Sequence, residues 1–99
     1  MTRAADFPEL RRFFEGYMHE DFVHEYGTAE GALRAYEADA SEPERRRLRS
    51  DATKMLAALE TSGLADARSL VASLGAKWTP RSLAALKKWL AAAADAGRA

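Results

Sequence analysis

The sequence contains no cysteine among its 99 residues, which excludes disulfide bonds and thiolate metal sites. It also lacks a long apolar run, since the longest one, Leu90 to Ala94, is too short and too rich in alanine to span a bilayer. No apolar run follows the first residues, Met1 to Asp6, so we expect no signal peptide. Together these absences predict a cytoplasmic protein with no membrane association, and the length of 99 residues predicts one domain.

The chain has no net charge, with 15 basic and 15 acidic residues, but its charges are unevenly distributed. Residues 1–44 contain eleven acids and four arginines, a balance of −7, and residues 45–99 contain eleven bases and four acids, a balance of +7. Such a chain can present one acidic and one basic surface, and an acidic surface attracts basic partners through its long-range field. Alternatively, the two halves neutralise each other when they pack together. The pattern favours neither reading.

No alternation of apolar and polar residues extends beyond four positions, whereas apolar residues recur three and four apart along the chain. This spacing predicts an all-α fold, a compact single-domain bundle of about five helices over residues 1–99, frayed at 1–6 and 95–99. The first helix is predicted from about Pro8 to Met18, with an apolar stripe on one face. Thr28 is the predicted N-cap of a second helix from Ala29 to about Asp39.

A third helix is predicted to begin at a capping box formed by Ser41 and Glu44 and to run to about Thr61, where Gly63 ends it. This helix carries a basic run that could suggest nucleic-acid binding. However, Glu42 precedes Arg46 by four residues, and a second pair has the same spacing, so ion pairs within the helix absorb much of the charge. No aromatic residue is interleaved for base stacking, and we expect no nucleic-acid partner. The second pair with this four-residue spacing within the helix is Arg47 with Asp51.

Two shorter apolar-striped segments follow. One predicts a helix over Asp66–Leu74 that ends at Gly75, and the other predicts a last helix that begins at Thr79-Pro80. Trp89 lies on the apolar stripe of the last helix and is assigned to the core. Trp78 is also assigned to the core, with a half-exposed contact anchor as the alternative.

Two histidines among acidic residues, His19 and His24, suggest a metal site. Their separation of five residues places them about 140° apart on a helix, whereas a helical two-histidine zinc site needs a separation of four. No serine lies in a strand–turn–helix elbow, and the chain has no glycine-rich phosphate loop. We therefore predict no metal, no cofactor and no catalytic residues, and we assign His19 a structural role in the connector after the first helix.

Ordered motifs in the first half of the chain carry a family resemblance. They are Phe13-Phe14, the segment from Tyr17 to Phe22, Tyr26-Gly27-Thr28 at the start of one helix and Asp39-Ala40-Ser41 at the start of the next. In this order and spacing they resemble the immunity proteins of contact-dependent growth inhibition (CDI) systems. The similarity is clearest over residues 7–59. Within it, Phe22 stands where the family often has tryptophan, and Met18 replaces a common aromatic residue.

The resemblance implies an all-helical, non-catalytic inhibitor that binds the toxic C-terminal domain of a large exported protein of the CdiA type. Many such toxins are nucleases with basic clefts, which an inhibitor can occlude by placing carboxylates where phosphates bind. The expected partner-binding residues are acidic: Glu15, Glu20, Asp21, Glu25 and Glu30. The motif residues expected to hold the fold are Tyr17, His19, Asp21, Phe22, Gly27 and Thr28. The alternative is a general helical interaction or regulatory module with no toxin partner, and no oligomeric state is predicted.

Overall fold

Short connectors join six α-helices in the computed structural model, which describes residues 4–20 and 22–95. The helices are α1 (Pro8–Tyr17), α2 (Phe22–Tyr26), α3 (Ala29–Asp39), α4 (Glu42–Ala58), α5 (Leu64–Ser73) and α6 (Leu83–Ala94). One turn of 3-10 helix precedes α1 at Ala4–Asp6, and another follows α4 at Leu59–Thr61. No strand occurs in the described ranges, and five of the six helices have seven or more residues. The predicted all-α fold of about five helices is therefore confirmed.

The core forms where α4 packs against α6 and α1, and where α1 packs against α3. The apolar stripe predicted on the first helix faces these neighbours, and its fully buried members are at most 2% exposed: Phe7, Leu10, Phe13, Phe14 and Met18. Trp89 of α6 lies against Phe13 and Phe14, with ring centroids 5.4 and 5.6 Å apart. Its indole N–H donates to the carbonyl of Ala29 at 3.0 Å. The prediction that Trp89 belongs to the core is confirmed.

Side-chain caps fix the start of α3 and of α4. The hydroxyl of Thr28 accepts from the backbone N–H of Gly31 at 3.0 Å, which confirms Thr28 as the N-cap of α3. At the start of α4, the backbone N–H of Ser41 donates to the Glu44 carboxylate at 2.8 Å, and the Ser41 hydroxyl accepts from the backbone N–H of Glu44 at 3.3 Å. The predicted capping box is therefore present.

The segment before α6 differs from the prediction. Thr79-Pro80 does not open this helix, because Ser82 is its N-cap and accepts from the N–H of Ala85 at 3.0 Å. The carbonyl groups of Pro80 and Arg81 instead accept from the guanidinium of Arg68 on α5, at 2.9 and 3.2 Å. The segment is therefore fixed to α5 before the last helix begins.

The two glycines predicted to end helices act differently. Gly75 follows α5 with a φ of +94°, the left-handed region that favours glycine, so its predicted role as a terminator is confirmed. Gly63 has a φ of −84° and is the N-cap of α5, so it opens that helix and does not end the preceding one. As a result α5 begins at Leu64, two residues before the predicted start.

A carboxylate of α4 caps α1 across the core. Phe7, the N-cap of α1, provides no side-chain acceptor, and Asp51 accepts instead from the backbone N–H groups of Glu9 and Leu10, at 2.8 and 3.2 Å. Asp51 is only 4% exposed, and this burial raises the pKa of its carboxyl above the ordinary value, although the two hydrogen bonds lower it. The predicted ion pair of Arg47 with Asp51 is wrong, because Arg47 lies 3.1 Å from Glu9 on α1.

The rest of the basic run on α4 follows the local pattern more closely. Arg46 lies 3.5 Å from the carboxylate of Glu42, as its four-residue spacing predicts. Arg45 also pairs with Glu42, at 3.2 Å, and donates to the carbonyl of Ala40. Together with the contact between Glu9 and Arg47, these pairs show that packing neutralises part of the charge on the two halves of the chain.

The predicted fraying of the two ends falls partly outside the described residues, which exclude 1–3 and 96–99. Within them, Ala4–Asp6 forms a 3-10 turn and Asp95 is the C-cap of α6. Among the described residues, no helix combines the length and apolar character needed to cross a membrane.

Candidate functional site

The connector between α1 and α3 contains the residues of the predicted family motif. Tyr17 is the last residue of α1, and its ring stacks on Phe13 with centroids 5.6 Å apart. Its hydroxyl donates to the carboxylate of Asp39, the last residue of α3, at 3.1 Å. Partial burial and this hydrogen bond raise the pKa of Tyr17 to about 12. Tyr17 thus joins the C-terminal ends of two helices.

His19 is half-buried in the turn after α1, and its Nε2 lies 3.7 Å from a carboxylate oxygen of Glu25 on α2. Asp21, which belongs to the same motif as His19, lies outside the described residues. His24 is exposed on α2. Within residues 4–20 and 22–95, no group of three or more His, Cys, Asp or Glu side chains is arranged to hold a metal ion.

Phe22 and Gly27 mark the two ends of α2. Phe22 begins the helix with a buried ring, which anchors this short element to the core. Gly27 follows the last residue with a φ of +79°, and its N–H donates to the carbonyl of Val23 at 2.9 Å. Because this left-handed conformation favours glycine, the chain can turn here directly into Thr28 and the start of α3.

The close approach of α2 to α3 depends on a residue that the sequence analysis missed. A Cβ atom added to Gly31 would lie 2.1 Å from the carbonyl oxygen of Tyr26, far inside van der Waals contact. The N–H of Gly31 is also the group that Thr28 caps. The available signal was the spacing of a threonine cap and a glycine three residues later, which is a weak pattern by itself.

Two of the acidic residues predicted to bind a partner are already engaged within the chain. Glu15 lies 3.8 Å from Arg11 along α1, and Glu25 contacts His19 as described above. The side chains of Glu15 and Glu25 are 56% and 50% exposed, so these pairs are weak surface contacts.

Glu20 and Glu30 are different, because both are exposed and neither forms an ion pair or hydrogen bond with another described residue. Glu20 lies in the turn after α1, and Glu30 lies in the first turn of α3. Asp21, the remaining predicted residue, lies outside the described ranges. Residues 13–33 contain five acids and neither lysine nor arginine, so the connector and the helices beside it form an acidic segment.

A groove of about 390 Å³ opens next to Glu30, between α2, the start of α3 and the start of α6. We name it the groove and define it by Phe22, Val23, Glu30, Trp78, Arg81 and Ala85. Val23 is 60% exposed, which makes it the most exposed large apolar side chain among the described residues. Trp78 is half-buried, with its ring centroid 5.5 Å from that of Trp89. Sequence periodicity identified neither Val23 nor Arg81, because neither lies on an apolar stripe.

A second polar cluster, which we name the junction, lies where α1 meets α3 and α4. It consists of Glu9, Arg12, Tyr36, Arg47 and Asp51. Glu9 is 3% exposed, with one carboxylate oxygen 3.1 Å from Arg47 and the other 3.0 Å from the hydroxyl of Tyr36. Burial and this hydrogen bond raise the pKa of Tyr36. Every buried side-chain nitrogen and oxygen in the described ranges has a hydrogen-bond partner, so the junction is a satisfied structural network.

Comparison with known proteins agrees with the resemblance carried by the connector motifs. A family model described as CdiI immunity protein matches residues 6–96. The match therefore extends beyond the first half of the chain and includes α5 and α6. No curated protein and no solved structure matches the chain. Since the family model covers nearly the whole sequence, the chain belongs to the CdiI immunity protein family.

Proposed function

We propose that this chain acts in the cytoplasm by binding the CdiA-type toxin C-terminal domain of its CDI system and occluding a nuclease active site or its substrate surface. Membership in the CdiI immunity protein family supports the toxin-neutralising role. The acidic segment supports a nuclease as the target, because a cleft that binds phosphates is basic and attracts carboxylates. Occlusion requires binding alone, so the proposal assigns no chemical step to the chain.

The observation that carries this proposal is the pair of open carboxylates, Glu20 and Glu30, in a segment without lysine or arginine. An exposed carboxylate that forms no ion pair contributes little to folding, but its field acts on an approaching basic surface. We include Glu15, Asp21 and Glu25 in the same proposed surface. Asp21 lies outside the described residues, and the other two are exposed.

We also propose that the shared motif holds the fold. Several of its side chains are engaged within the protein: Tyr17 with Asp39, His19 with Glu25, and Thr28 with the N–H of Gly31. Toxins differ between CDI systems, and a fold-holding motif can be shared where a toxin-contacting surface cannot. The motif residues are Tyr17, His19, Asp21, Phe22, Gly27 and Thr28.

The proposal is tested by reversing the open carboxylates in the double variant Glu20→Lys, Glu30→Lys. The partner is the toxin C-terminal domain encoded beside this chain. We expect the association rate to fall by about tenfold or more, since electrostatic steering changes association rates by roughly 10–10³. The residual rate should also depend less on salt concentration. Stopped-flow association and a growth-competition assay measure the two consequences.

The chain offers a matched control in the double variant Glu60→Lys, Asp66→Lys. Both residues are exposed, Asp66 lies in the first turn of α5 as Glu30 does in α3, and the change in net charge is the same. We expect this control to protect cells and to bind as the wild type does. Equal loss in both variants would indicate a nonspecific charge effect, and full protection by the Glu20, Glu30 variant would show that the working surface lies elsewhere.

A further inference from the structure

The groove has a composition that folding alone does not explain. Its wall includes Val23, which remains 60% exposed on α2, and the half-buried Trp78, whose ring centroid lies 5.5 Å from that of Trp89. Covering apolar surface of this kind favours binding by roughly 25 cal/mol for each Å² removed from water. Rigid aromatic side chains at the wall of an open depression are common anchors of protein interfaces.

Two charges of opposite sign flank this apolar wall. Glu30 and Arg81 both line the groove, and neither side chain forms an ion pair or hydrogen bond with another described residue. In the junction, by contrast, the buried Glu9 pairs with Arg47. A partner that covered the groove would therefore need a cation for Glu30 and an anion for Arg81, because unpaired charges lose hydration when they are covered.

The elements that form the groove are held in place before any partner arrives. Thr28 caps α3 beside the tight glycine turn, and Arg68 fixes the carbonyl groups of Pro80 and Arg81. Trp78 rests on the buried ring of Trp89. A site that is already ordered loses little conformational entropy on binding, so more of the contact energy appears as affinity.

From these observations we infer that the groove receives an apolar side chain from a loop of the toxin, flanked by a basic residue that meets Glu30 and an acidic residue that meets Arg81. This inference rests on the proposed function and deepens it. The acidic segment steers the toxin to this end of the molecule, and the groove then holds it. Steering acts mainly on association, whereas anchoring acts mainly on dissociation.

The first test measures affinity for the toxin C-terminal domain by calorimetry. Val23→Ser removes the apolar contact, and we expect the dissociation constant to rise about tenfold, equivalent to about 1.4 kcal/mol. Val23→Ile keeps an apolar side chain and should bind as the wild type does. For the charge, Arg81→Glu should weaken binding, while Lys88→Glu, an equal change at an exposed position of α6, should not. Urea unfolding checks that each variant is folded.

A second test observes the groove directly. The chain has two tryptophans, so after incorporation of fluorotryptophan its fluorine NMR spectrum contains one resonance from Trp78 and one from Trp89, and Trp78→Phe assigns them. Addition of unlabelled toxin domain should shift the Trp78 resonance more than that of the buried Trp89. The toxin contributes no fluorine signal.

The outcomes separate this inference from the proposed function. Absence of any binding by the wild-type chain would overturn both. Wild-type affinity in Val23→Ser and Arg81→Glu, with an unmoved Trp78 resonance, would overturn the groove alone and leave toxin binding in place. A Trp78 shift that follows the concentration of the chain without toxin would assign the groove to self-association and would also overturn the inference.

Discussion

The junction and the groove both include residues of α3, and their polar groups are arranged in opposite ways. In the junction, both carboxylate oxygens of the buried Glu9 have partners, and Asp51 accepts from two backbone N–H groups. In the groove, Glu30 and Arg81 face solvent without a partner among the described residues. The junction uses its charges to hold α1 against α4, whereas the groove keeps its charges available.

The difference between paired and unpaired charges indicates how a small helical protein can be stable and still have charged groups available to bind a partner. Buried charged groups stabilise a fold only where they are fully paired, and breaking one pair is costly. Exposed groups contribute little to stability and can change without unfolding the chain. Under the proposed function, the chain benefits when stability and recognition are carried by separate residues. Substitutions at the two sites should separate these roles.

The largest effect is expected from Asp51→Ala in the junction. The substitution removes the acceptor for the N–H groups of Glu9 and Leu10, and each buried donor left without a partner costs about 1–3 kcal/mol. We expect the free energy of unfolding to fall by about 2–4 kcal/mol, measured by urea denaturation. Asp51→Asn keeps one acceptor oxygen and should lose less than half as much.

The corresponding truncation in the groove is Glu30→Ala. Because Glu30 is exposed and has no described partner, we expect it to change stability by about 0.5 kcal/mol or less. Comparable losses in Asp51→Ala and Glu30→Ala would contradict the distinction between the two regions. A negligible loss in Asp51→Ala would show that water or the helix end itself satisfies these N–H groups.

The features that the sequence predicted correctly depend on neighbours within one or two helical turns. The apolar stripe of α1, the Thr28 cap and the capping box of Ser41 with Glu44 are all local patterns, and the structure contains each of them. The helical period and hydrogen bonds to nearby backbone groups set such features, so a short stretch of sequence is enough to recognise them. The same locality explains why the pair of Glu42 with Arg46 was predicted correctly.

The features that the sequence missed join distant parts of the chain. Asp51 caps α1 by accepting from the N–H of Glu9, 42 residues earlier, whereas a rule based on four-residue spacing assigned it to Arg47. The groove similarly combines Val23 of α2 with Trp78 and Arg81 from the segment before α6. No periodicity marks these residues, because their proximity follows from how α3 packs against α6.

A smaller effect is expected from Gly31→Ala, where α3 approaches the end of α2. The new Cβ would lie 2.1 Å from the carbonyl oxygen of Tyr26, so α2 must move away from α3. We expect a loss of about 1–3 kcal/mol, the usual cost of overpacking. Gly16→Ala is the matched control, because Gly16 is also helical but has open space around it, and it should stabilise α1 by about 0.5–1 kcal/mol. Equal changes in both variants would contradict the close contact.

The smallest effect at neutral pH is expected from Tyr17→Phe, since the hydrogen bond to Asp39 is exposed and contributes less than about 1 kcal/mol. Its signature lies at alkaline pH. Burial first, and then the Asp39 carboxylate, raise the pKa of Tyr17 from 10.0 to about 12. Between these values the unfolded chain loses this proton while the folded chain keeps it. The free energy of unfolding must therefore fall as pH rises through this window.

Tyr17→Phe removes this contribution, so the variant should lose stability less steeply than the wild type above pH 10. Urea denaturation at a series of pH values measures the slope, and tyrosinate absorbance of the folded protein reports the ionisation itself. Tyr36→Phe separates the regions further. It leaves an oxygen of the buried Glu9 without its hydroxyl partner, so it should also destabilise the protein at neutral pH. Parallel pH profiles for wild type and Tyr17→Phe would show that folding does not raise the pKa of the Tyr17 hydroxyl.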